Sequence, residues 1–245
     1  MTDAETPMLS LAAPAYNEAG GIEAVVRDWV RVLSGSGESF EIVVANDGSS
    51  DGTGEVLDRL AAEIPQLRVV HEKVNHGYGH AVSLAMKSAA GLYVASLDSD
   101  GQFDPADALS FLQKARQEGL DGVNGRRMGK KDSLIRVLAD RVLNLIVRVL
   151  FGTRLSDTNC ALKLIRRELL KELTLDARGY PFPTELVLKL EAKGAKIAEM
   201  PANHYERASG KSHLKVWDTG WKMLWFLLYL RLRLSLFKRG IIQRP

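Results

Sequence analysis

LYVASLDSDGQ, residues 92–102, is the stretch of sequence that decides the fold class. Its first half, 92–97, is short, apolar and rich in strand-forming residues, which is typical of a buried strand. Two carboxylates, Asp98 and Asp100, follow where that strand ends. In an open parallel sheet, ligands bind outside the carboxyl ends of the strands. Carboxylate oxygens at that place suit a divalent cation shared with substrate phosphates; the alternative is a solvated turn of ordinary loop residues.

Strand and helix patterns alternate on both sides of this stretch. Short apolar runs rich in branched residues predict strands at 9–13, 40–45, 67–70 and 92–97. Helical periodicity predicts helices at 22–33, 54–64, 79–90 and 105–118. This alternation predicts βαβ units, and therefore an α/β fold with a mostly parallel, Rossmann-like sheet flanked by helices.

The composition is typical of a globular protein in a reducing compartment. Of the 245 residues, 46% are hydrophobic and 26% are charged, and the length allows one large domain or two small ones. The one cysteine, Cys160, excludes an intrachain disulfide. The N-terminal residues do not follow the basic-then-apolar pattern of a signal peptide. We therefore expect a cytoplasmic protein.

Positive charge is concentrated at the C-terminal end. Residues 203–245 hold nine Lys and Arg against two acids, a net charge of +7, whereas the remaining 24 basic and 28 acidic residues give −4. This asymmetry favours an anionic surface or ligand as partner. The chain has no recognised nucleic-acid-binding motif, so we expect no nucleic acid partner.

Two amphipathic helices are predicted after residue 125. The apolar face of the first, at 134–151, is wide enough to need a large partner surface, either protein core or membrane. Near the C-terminus an aromatic residue recurs every four positions, at Trp217, Trp221, Trp225 and Tyr229. Such a stripe is either core or a membrane–water contact, and the basic residues around it favour a peripheral membrane contact. The longest apolar run there has eight residues, too few for a bilayer span of about 20.

Two further polar clusters follow predicted strands. PAYNE, residues 14–18, follows the first strand, and NDGSSDGT, residues 46–53, follows the second. Each cluster alone could be a turn or a helix cap. Together with Asp98 and Asp100 they would lie on one edge of the sheet, where a crevice forms.

In this order, the three clusters resemble the successive motifs of the inverting family 2 glycosyltransferases, which have the GT-A fold. The resemblance continues through NHGYGHA (75–81), GRR (125–127), SDTNC (156–160) and YERASGKS (205–212). It also includes the four-residue spacing of Arg136, Asp140 and Asn144. The set is similar to the dolichol-phosphate mannosyltransferase branch, whose members load a sugar onto a polyprenyl phosphate, and it covers roughly residues 8–215.

The resemblance implies a role for each group of residues. Those implied to line the nucleotide of the donor are Pro14, Tyr16, Glu18 and Asp47. Those implied to hold Mg²⁺ or Mn²⁺ against the donor diphosphate are Asp98, Asp100 and Gln102. Those implied to close over the diphosphate from a late loop are Arg207 and Ser212. The implied catalytic residues are Arg127 and Arg136, which would contact phosphates including that of the acceptor, and Asp157, an acid near the reacting centre.

The implied protein is an inverting, metal-dependent hexosyltransferase at the cytosolic face of a membrane. It would move a sugar from GDP-mannose or a UDP-hexose to dolichyl or undecaprenyl phosphate. Residues 1–215 would form the catalytic domain, and residues 216–245 a basic, aromatic-rich, membrane-associating helical segment of the same unit. The alternatives are a family 2 enzyme with a saccharide or protein hydroxyl as acceptor, for which Asp157 would be the general base, and a degenerate nucleotide-sugar-binding protein or scaffold.

Four positions depart from the family pattern. Asp140 stands where a Ser commonly meets phosphate, and its charge would repel phosphate unless it pairs with Arg136 one helical turn away. Ala161 and Leu162 replace a Gly-Phe pair, and His213 replaces a Lys. These changes bear on the fit of the phosphates more than on the fold.

Three further features predict structural roles. His76 and His80 have the i, i+4 spacing of metal ligands, but we identify no acidic or third ligand beside them. Gly77-Tyr78-Gly79 predicts a tight turn. Cys160 has no catalytic context, so we expect a buried neutral thiol.

Overall fold

The computed structural model describes residues 6–128, 134–205 and 216–245, without the side chains of 134–136 and 216–219. The strands are β1 (Leu9–Ala15), β2 (Phe40–Asp47), β3 (Leu67–Glu72), β4 (Tyr93–Ser96), β5 (Gly122–Met128), β6 (Lys163–Arg166) and β7 (Ile197–Asn203). The helices are α1 (Ile22–Ser34), α2 (Thr53–Glu63), α3 (Tyr78–Ser88), α4 (Pro105–Glu118), α5 (Leu134–Phe151), α6 (Arg167–Lys171), α7 (Phe182–Ala192) and α8 (Val216–Lys238).

The strands form a mixed sheet in the order β3-β2-β1-β4-β6-β5-β7. β1 pairs in parallel with both β2 and β4, β2 with β3, and β5 with β7. β6 runs antiparallel to its neighbours β4 and β5. The predicted α/β fold with a mostly parallel sheet is confirmed, while the antiparallel β6 was not predicted, because a short apolar run does not reveal the direction of its strand.

Both faces of the sheet are covered because side chains on a strand alternate between its two sides. Leu11 on β1 lies in a cluster with Trp29 of α1 and Phe111 of α4. Its neighbour Ala12 belongs to the opposite cluster, with Phe182 of α7. Burying one such large apolar side chain stabilises the fold by about 1.5–3 kcal/mol. The two cores fix the sheet, so the loops at its carboxyl edge start from rigid positions.

Helices α5 and α8 each have one buried and one exposed apolar face. Their buried sides pack together with α7 in a third cluster that includes Val147 and Leu227. Their outer faces expose large apolar side chains: Leu138, Val142, Leu145 and Val149 on α5, and Trp221, Trp225, Leu228 and Leu232 on α8. The sequence left open whether the apolar side chains of these helices pack in the protein core or contact a membrane. Protein covers only the inner faces, so core packing accounts for those faces and leaves the outer faces exposed.

The aromatic stripe of α8 lies on that outer face. Trp221 and Trp225 are 64% and 61% exposed, and Tyr229 is 43% exposed. The side chain of Trp217 lies outside the described residues. Among the described residues, no helix combines the length and apolarity that a bilayer crossing requires.

Candidate active site

The polar clusters after β1, β2 and β4 are joined to one another by hydrogen bonds. Ser99 Oγ donates to the carbonyl oxygen of Pro14 at 2.6 Å, which ties the loop after β4 to the loop after β1. The amide of Glu18 donates to Thr53 Oγ1 at 2.8 Å, which ties the β1 loop to the loop after β2. The three clusters, residues 14–18, 46–53 and 98–100, thus form one continuous structure at the carboxyl edge of the sheet, which we call the rim.

Asn17 and Asp51 add cross-links within the rim. Asn17 has a left-handed backbone with a φ of 54°, and its side-chain oxygen accepts from the amide of Ser50 at 2.9 Å. Asp51 Oδ2 accepts from the amide of Ala19 at 3.1 Å. The residues at the N-cap positions of α1 and α2 are glycines. These polar side chains therefore join loops that are more than thirty residues apart in sequence.

Asp47 holds the β3–α3 turn (residues 73–77). Its side chain is buried, with the whole residue 2% exposed, and its two carboxylate oxygens accept from the amides of His76 at 2.9 Å and Gly77 at 2.8 Å. Gly77 has a φ of 99°, which favours glycine. A Cβ at Gly79 would lie 2.2 Å from a backbone carbonyl oxygen in the loop before α7. The turn ends at Gly77, whereas Tyr78 and Gly79 already belong to α3, so the tight turn predicted at 77–79 is observed only at its first residue. Gly79 is required by the close approach of the loop before α7 and not by the turn.

The acidic pair lies where β4 ends, and Tyr78 reaches it from the start of α3. Tyr78 Oη donates to Asp98 Oδ1 at 2.9 Å. Asp100 is almost buried. Burial, together with the negative charges of Asp98 and Asp100, raises the pKa of Tyr78 well above its usual range. Tyr78 is therefore a stable hydrogen-bond donor that orients Asp98, and the carboxylates fit the hard oxygen ligands that Mg²⁺ or Mn²⁺ prefers.

Gln102 lies between the acidic pair and the late part of the chain. Its amide donates to Asp100 Oδ1 at 3.0 Å, and its side-chain Nε2 donates to the carbonyl oxygen of Tyr205 at 3.1 Å. The amide of Tyr205 donates back to the carbonyl oxygen of Gln102 at 2.8 Å. Arg207 and Ser212, which follow Tyr205, lie outside the described residues.

Arg127 forms a two-bond ion pair with Asp157. Nε donates to Oδ2 and Nη2 donates to Oδ1, both at 2.9 Å, and Nη2 also lies 3.2 Å from Asp140 Oδ2. Burial alone would lower the pKa of Arg127, but its bonds to Asp157 and the charge of Asp140 outweigh burial and raise it. Asp140, which departs from the family pattern, is thus paired with Arg127, whereas the side chain of its expected partner Arg136 lies outside the described residues.

Residues that the sequence analysis missed support the loop that holds Asp157. Glu199 on β7 accepts from the amides of Ser156 at 2.8 Å and Asp157 at 3.1 Å, and from Asn124 Nδ2 at 3.2 Å. The fully buried Lys163 on β6 donates to Asn124 Oδ1 at 2.5 Å. These contacts join β5, β6 and β7, and no local sequence signal marks them.

Two further residues considered in the sequence analysis, Tyr16 and Cys160, differ in exposure. Tyr16 is 48% exposed on the rim. Cys160 is fully buried, and burial raises the pKa of its thiol to about 12. The expectation of a buried neutral thiol is confirmed.

A cavity of about 410 Å³ lies beside the Arg127–Asp157 pair. Its lining residues come from β5, α5 and the loop after α5: Arg126, Arg127, Arg141, Asn144, Leu145, Arg148, Ser156 and Asp157. Four arginines against one carboxylate make the cavity strongly positive. The family motifs mark Arg127 as a site residue, whereas they imply no role for Arg126, Arg141 or Arg148. A larger cavity of about 650 Å³ is lined by none of the predicted site residues.

The model of the family described as "Glycosyl transferase family 2" matches residues 10–174, which include the rim, the acidic pair and the Arg127–Asp157 pair. The chain belongs to glycosyl transferase family 2. An undecaprenyl-phosphate 4-deoxy-4-formamido-L-arabinose transferase of Edwardsiella ictaluri is 30% identical over 215 residues, 86% of this chain and 65% of that protein. Glycosyltransferase AglD of Haloferax volcanii is 30% identical over 240 residues, 93% of this chain and 38% of that protein. The chain thus spans less than two thirds of the length of either relative.

Solved structures agree on the fold of this family 2 chain. Glucosyl-3-phosphoglycerate synthase of Mycobacterium tuberculosis superposes with a TM-score of 0.73 at 22% identity, over 91% of this chain and 80% of that one. Mannosyl-3-phosphoglycerate synthase of Rubrobacter xylanophilus gives a TM-score of 0.71 at 20% identity, over 97% of this chain and 76% of that one. The fold is the GT-A glycosyltransferase fold, as the sequence motifs imply.

The buried amine of Lys163 predicts how stability depends on pH. Burial lowers the pKa of Lys163 from 10.5 to about 8, so the folded chain loses this proton at lower pH than the unfolded chain does. The free energy of unfolding should therefore gain about 3 kcal/mol from this residue as the pH rises from about 8 to 10.5. Urea unfolding of the wild type and Lys163→Met across this range measures the gain as the pH-dependent part of their difference. The exposed Lys87→Met is the matched control, and a difference that does not change with pH would contradict the prediction.

Proposed function

We propose that this family 2 glycosyltransferase transfers a sugar from a nucleotide-diphosphate sugar to a polyprenyl phosphate at the cytosolic face of a membrane. The observation that carries the proposal is the position of the arginine-lined cavity. Leu145, 53% exposed, lines this cavity and also belongs to the outer apolar face of α5. A phosphate in the cavity could therefore continue into an apolar chain along that face.

Charge in the cavity suits an anionic acceptor. Arginine side chains bind phosphate oxygens through paired hydrogen bonds. Arg127 is largely committed to Asp157 and Asp140, so we assign the first contact with the acceptor phosphate to Arg126, Arg141 and Arg148. The curated Edwardsiella ictaluri relative is named for transfer to undecaprenyl phosphate, which supports the same class of acceptor.

The state of Asp157 also favours a phosphate over a hydroxyl. A hydroxyl acceptor must lose a proton to a general base during the reaction. Both carboxylate oxygens of Asp157 accept from the guanidinium of Arg127, an arrangement that fixes the carboxylate but suits proton transfer poorly. A phosphate acceptor is already ionised near neutral pH, so Asp157 would instead position groups and place negative charge near the electron-poor sugar carbon.

The proposed reaction is one in-line displacement with inversion. An acceptor phosphate oxygen forms a bond to the anomeric carbon while the bond from that carbon to the donor diphosphate breaks, and the nucleoside diphosphate leaves with the electron pair. Asp98 and Asp100, with Gln102, would hold Mg²⁺ or Mn²⁺, which as a Lewis acid neutralises the leaving diphosphate. Pro14, Tyr16, Glu18 and Asp47 would line the nucleotide along the rim. The Mycobacterium tuberculosis synthase has been crystallised with Mn²⁺ and UDP-glucose, which supports this class of donor and metal.

The assay that tests the proposal combines the full chain, Mn²⁺, UDP- and GDP-sugars, and either undecaprenyl phosphate or dolichyl phosphate in detergent. We expect a lipid-linked sugar whose anomeric configuration is opposite to that of the donor. Arg141→Gln and Arg148→Gln should each raise KM for the lipid phosphate by about ten-fold or more, the effect of one lost charged hydrogen bond, with KM for the donor unchanged. Arg31→Gln, on the exposed side of α1, is the control. Transfer to soluble hydroxyl acceptors alone, or donor binding without turnover, would refute the lipid acceptor.

Tyr78 gives a separate test of the metal assignment. Tyr78→Phe removes the hydroxyl that orients Asp98 and should weaken Mn²⁺ affinity in the presence of donor by about 10- to 100-fold, as is usual when a partner of a metal ligand is lost. Isothermal titration with Mn²⁺ and a non-reacting donor analogue measures the change. Tyr93→Phe, in the core beneath Arg166, is the control. Equal Mn²⁺ affinity in Tyr78→Phe and wild type would remove Asp98 from the metal site.

Membrane contact is proposed for the outer faces of α5 and α8. Exposed Trp side chains favour the membrane–water interface. The exposed basic residues Arg231 and Lys238 lie on α8 as well, and Arg239 follows directly after it. In such helices, the insertion of apolar side chains and the attraction of basic side chains to anionic lipid both strengthen membrane binding.

Vesicle sedimentation tests this surface. The double variant Trp221→Ala and Trp225→Ala should lower the partition coefficient onto vesicles with anionic lipid by at least ten-fold, since each lost Trp removes about 1.5–3 kcal/mol of apolar transfer. Leu92→Ala, an exposed apolar residue just before β4, should leave partitioning unchanged. Equal binding by the double variant and the wild type would show that α8 does not face the bilayer.

A further inference from the structure

A cluster of imidazole and carboxylate groups lies at the base of the β3–α3 turn. Glu72 is the last residue of β3, His76 lies in the turn, and His80 lies in the first turns of α3. Their ligand atoms all lie within 4.8 Å of one another. The expectation that His76 and His80 have no acidic third ligand beside them is wrong, because the fold turns Glu72 back toward both histidines.

The distances in this cluster approach those of a metal site. Glu72 Oε1 lies 3.3 Å from His80 Nε2, and Glu72 Oε2 lies 4.0 Å from His76 Nδ1. In a tetrahedral zinc site with bonds of about 2.0–2.2 Å, neighbouring ligand atoms are about 3.3–3.5 Å apart. One edge of such a site, from Glu72 Oε1 to His80 Nε2, therefore already has the required length. The remaining ligand atoms lie within 4.8 Å of one another, so a bound ion would have to draw His76 closer.

His76 Nδ1 points to a missing ligand. This buried nitrogen has no hydrogen-bond partner among the described residues. Its nearest carboxylate oxygens, on Asp47 and Glu72, lie at 3.8 and 4.0 Å, beyond hydrogen-bond distance. A buried polar nitrogen in native structures normally has a partner. A cation between Nδ1 and the Glu72 carboxylate would supply one.

We propose that Glu72, His76 and His80 bind Zn²⁺ as a second metal site, separate from the carboxylate pair at Asp98 and Asp100. Imidazole nitrogens favour zinc and the late transition metals, whereas an all-oxygen set favours Mg²⁺ or Mn²⁺. Three protein ligands leave a fourth position for water.

The position of the proposed site indicates that a bound zinc ion would stabilise the β3–α3 turn. The turn that would carry the metal also donates two amides to Asp47 and leads directly to Tyr78, which bonds Asp98. Zinc would fix His76 relative to β3 and to α3 at once. It would therefore hold this turn, and through it the rim residues Asp47 and Asp98, in one conformation.

Cobalt and zinc binding test the site in the full chain. The protein is stripped with a chelator and kept in excess Mg²⁺, which occupies oxygen-ligand sites. Zn²⁺ is then titrated by calorimetry, and Co²⁺ is followed by its visible absorption, whose intensity reports four-coordinate geometry. We expect one tightly bound Zn²⁺ per chain, intense Co²⁺ bands, and a higher Tm with Zn²⁺.

His76→Gln and His80→Gln should each abolish the tight Zn²⁺ binding, the Co²⁺ bands and the rise in Tm. His71→Gln is the control, because His71 lies on β3 nearby but bonds Asp58 and Asn46 instead. No tight Zn²⁺ binding by the wild type, or binding that survives both variants, would overturn the site and leave the cluster as hydrogen-bonded side chains. None of these readouts requires turnover.

Discussion

The parallel pairing of β1 with β2 on one side and with β4 on the other is the constraint on which the candidate active site depends. The register sets Ala15 opposite Asn46 and Ala12 opposite Ser96. Because these strands run in the same direction, the polar residues that follow them must emerge at one edge. The backbone ladder, rather than any contact between the functional side chains, therefore brings the acidic pair next to the two earlier motifs.

Side-chain hydrogen bonds then turn three adjacent loops into one rigid rim. Ser99 bonds Pro14, and Asp47 bonds the β3–α3 turn. Tyr78 completes the connection by bonding Asp98. Buried polar groups that are fully satisfied rigidify their surroundings, and a binding site gains precision when its supporting groups are fixed before the ligand arrives. A proposed zinc ion at the β3–α3 turn would stabilise the rim through the bonds of that turn to Asp47 and of Tyr78 to Asp98.

In the part of the site around Arg127 and Asp157, buried side chains of opposite charge are paired. Arg127 pairs with Asp157 and also contacts Asp140, so the acid that departs from the family pattern has a cationic partner within the fold. The cavity beside them remains positive because Arg126, Arg141 and Arg148 add to it. Glu199 and Lys163 stabilise the loop of Asp157 by hydrogen bonds to its backbone, at the amide of Asp157 and the carbonyl oxygen of Thr158. Removing one member of such a set would leave another charge buried without its counterion, which costs about 3–5 kcal/mol.

The sequence by itself determined the alternation of elements, the class of sheet and the family. The helix predicted at 22–33 is observed as Ile22–Ser34, and the strand predicted at 40–45 as Phe40–Asp47, because hydrophobic periodicity reports which face of an element is buried. The roles of the rim residues, of Arg127 and Asp157, and of Arg136, Arg207 and Ser212 remain predictions from motif resemblance. Only the tertiary structure decided that Asp140 pairs with Arg127, that Glu199 supports Asp157, that Glu72 meets His76 and His80, and that α5 and α8 keep an exposed apolar face. These contacts join residues on different elements, and their formation depends on strand order and helix packing, which local periodicity does not encode.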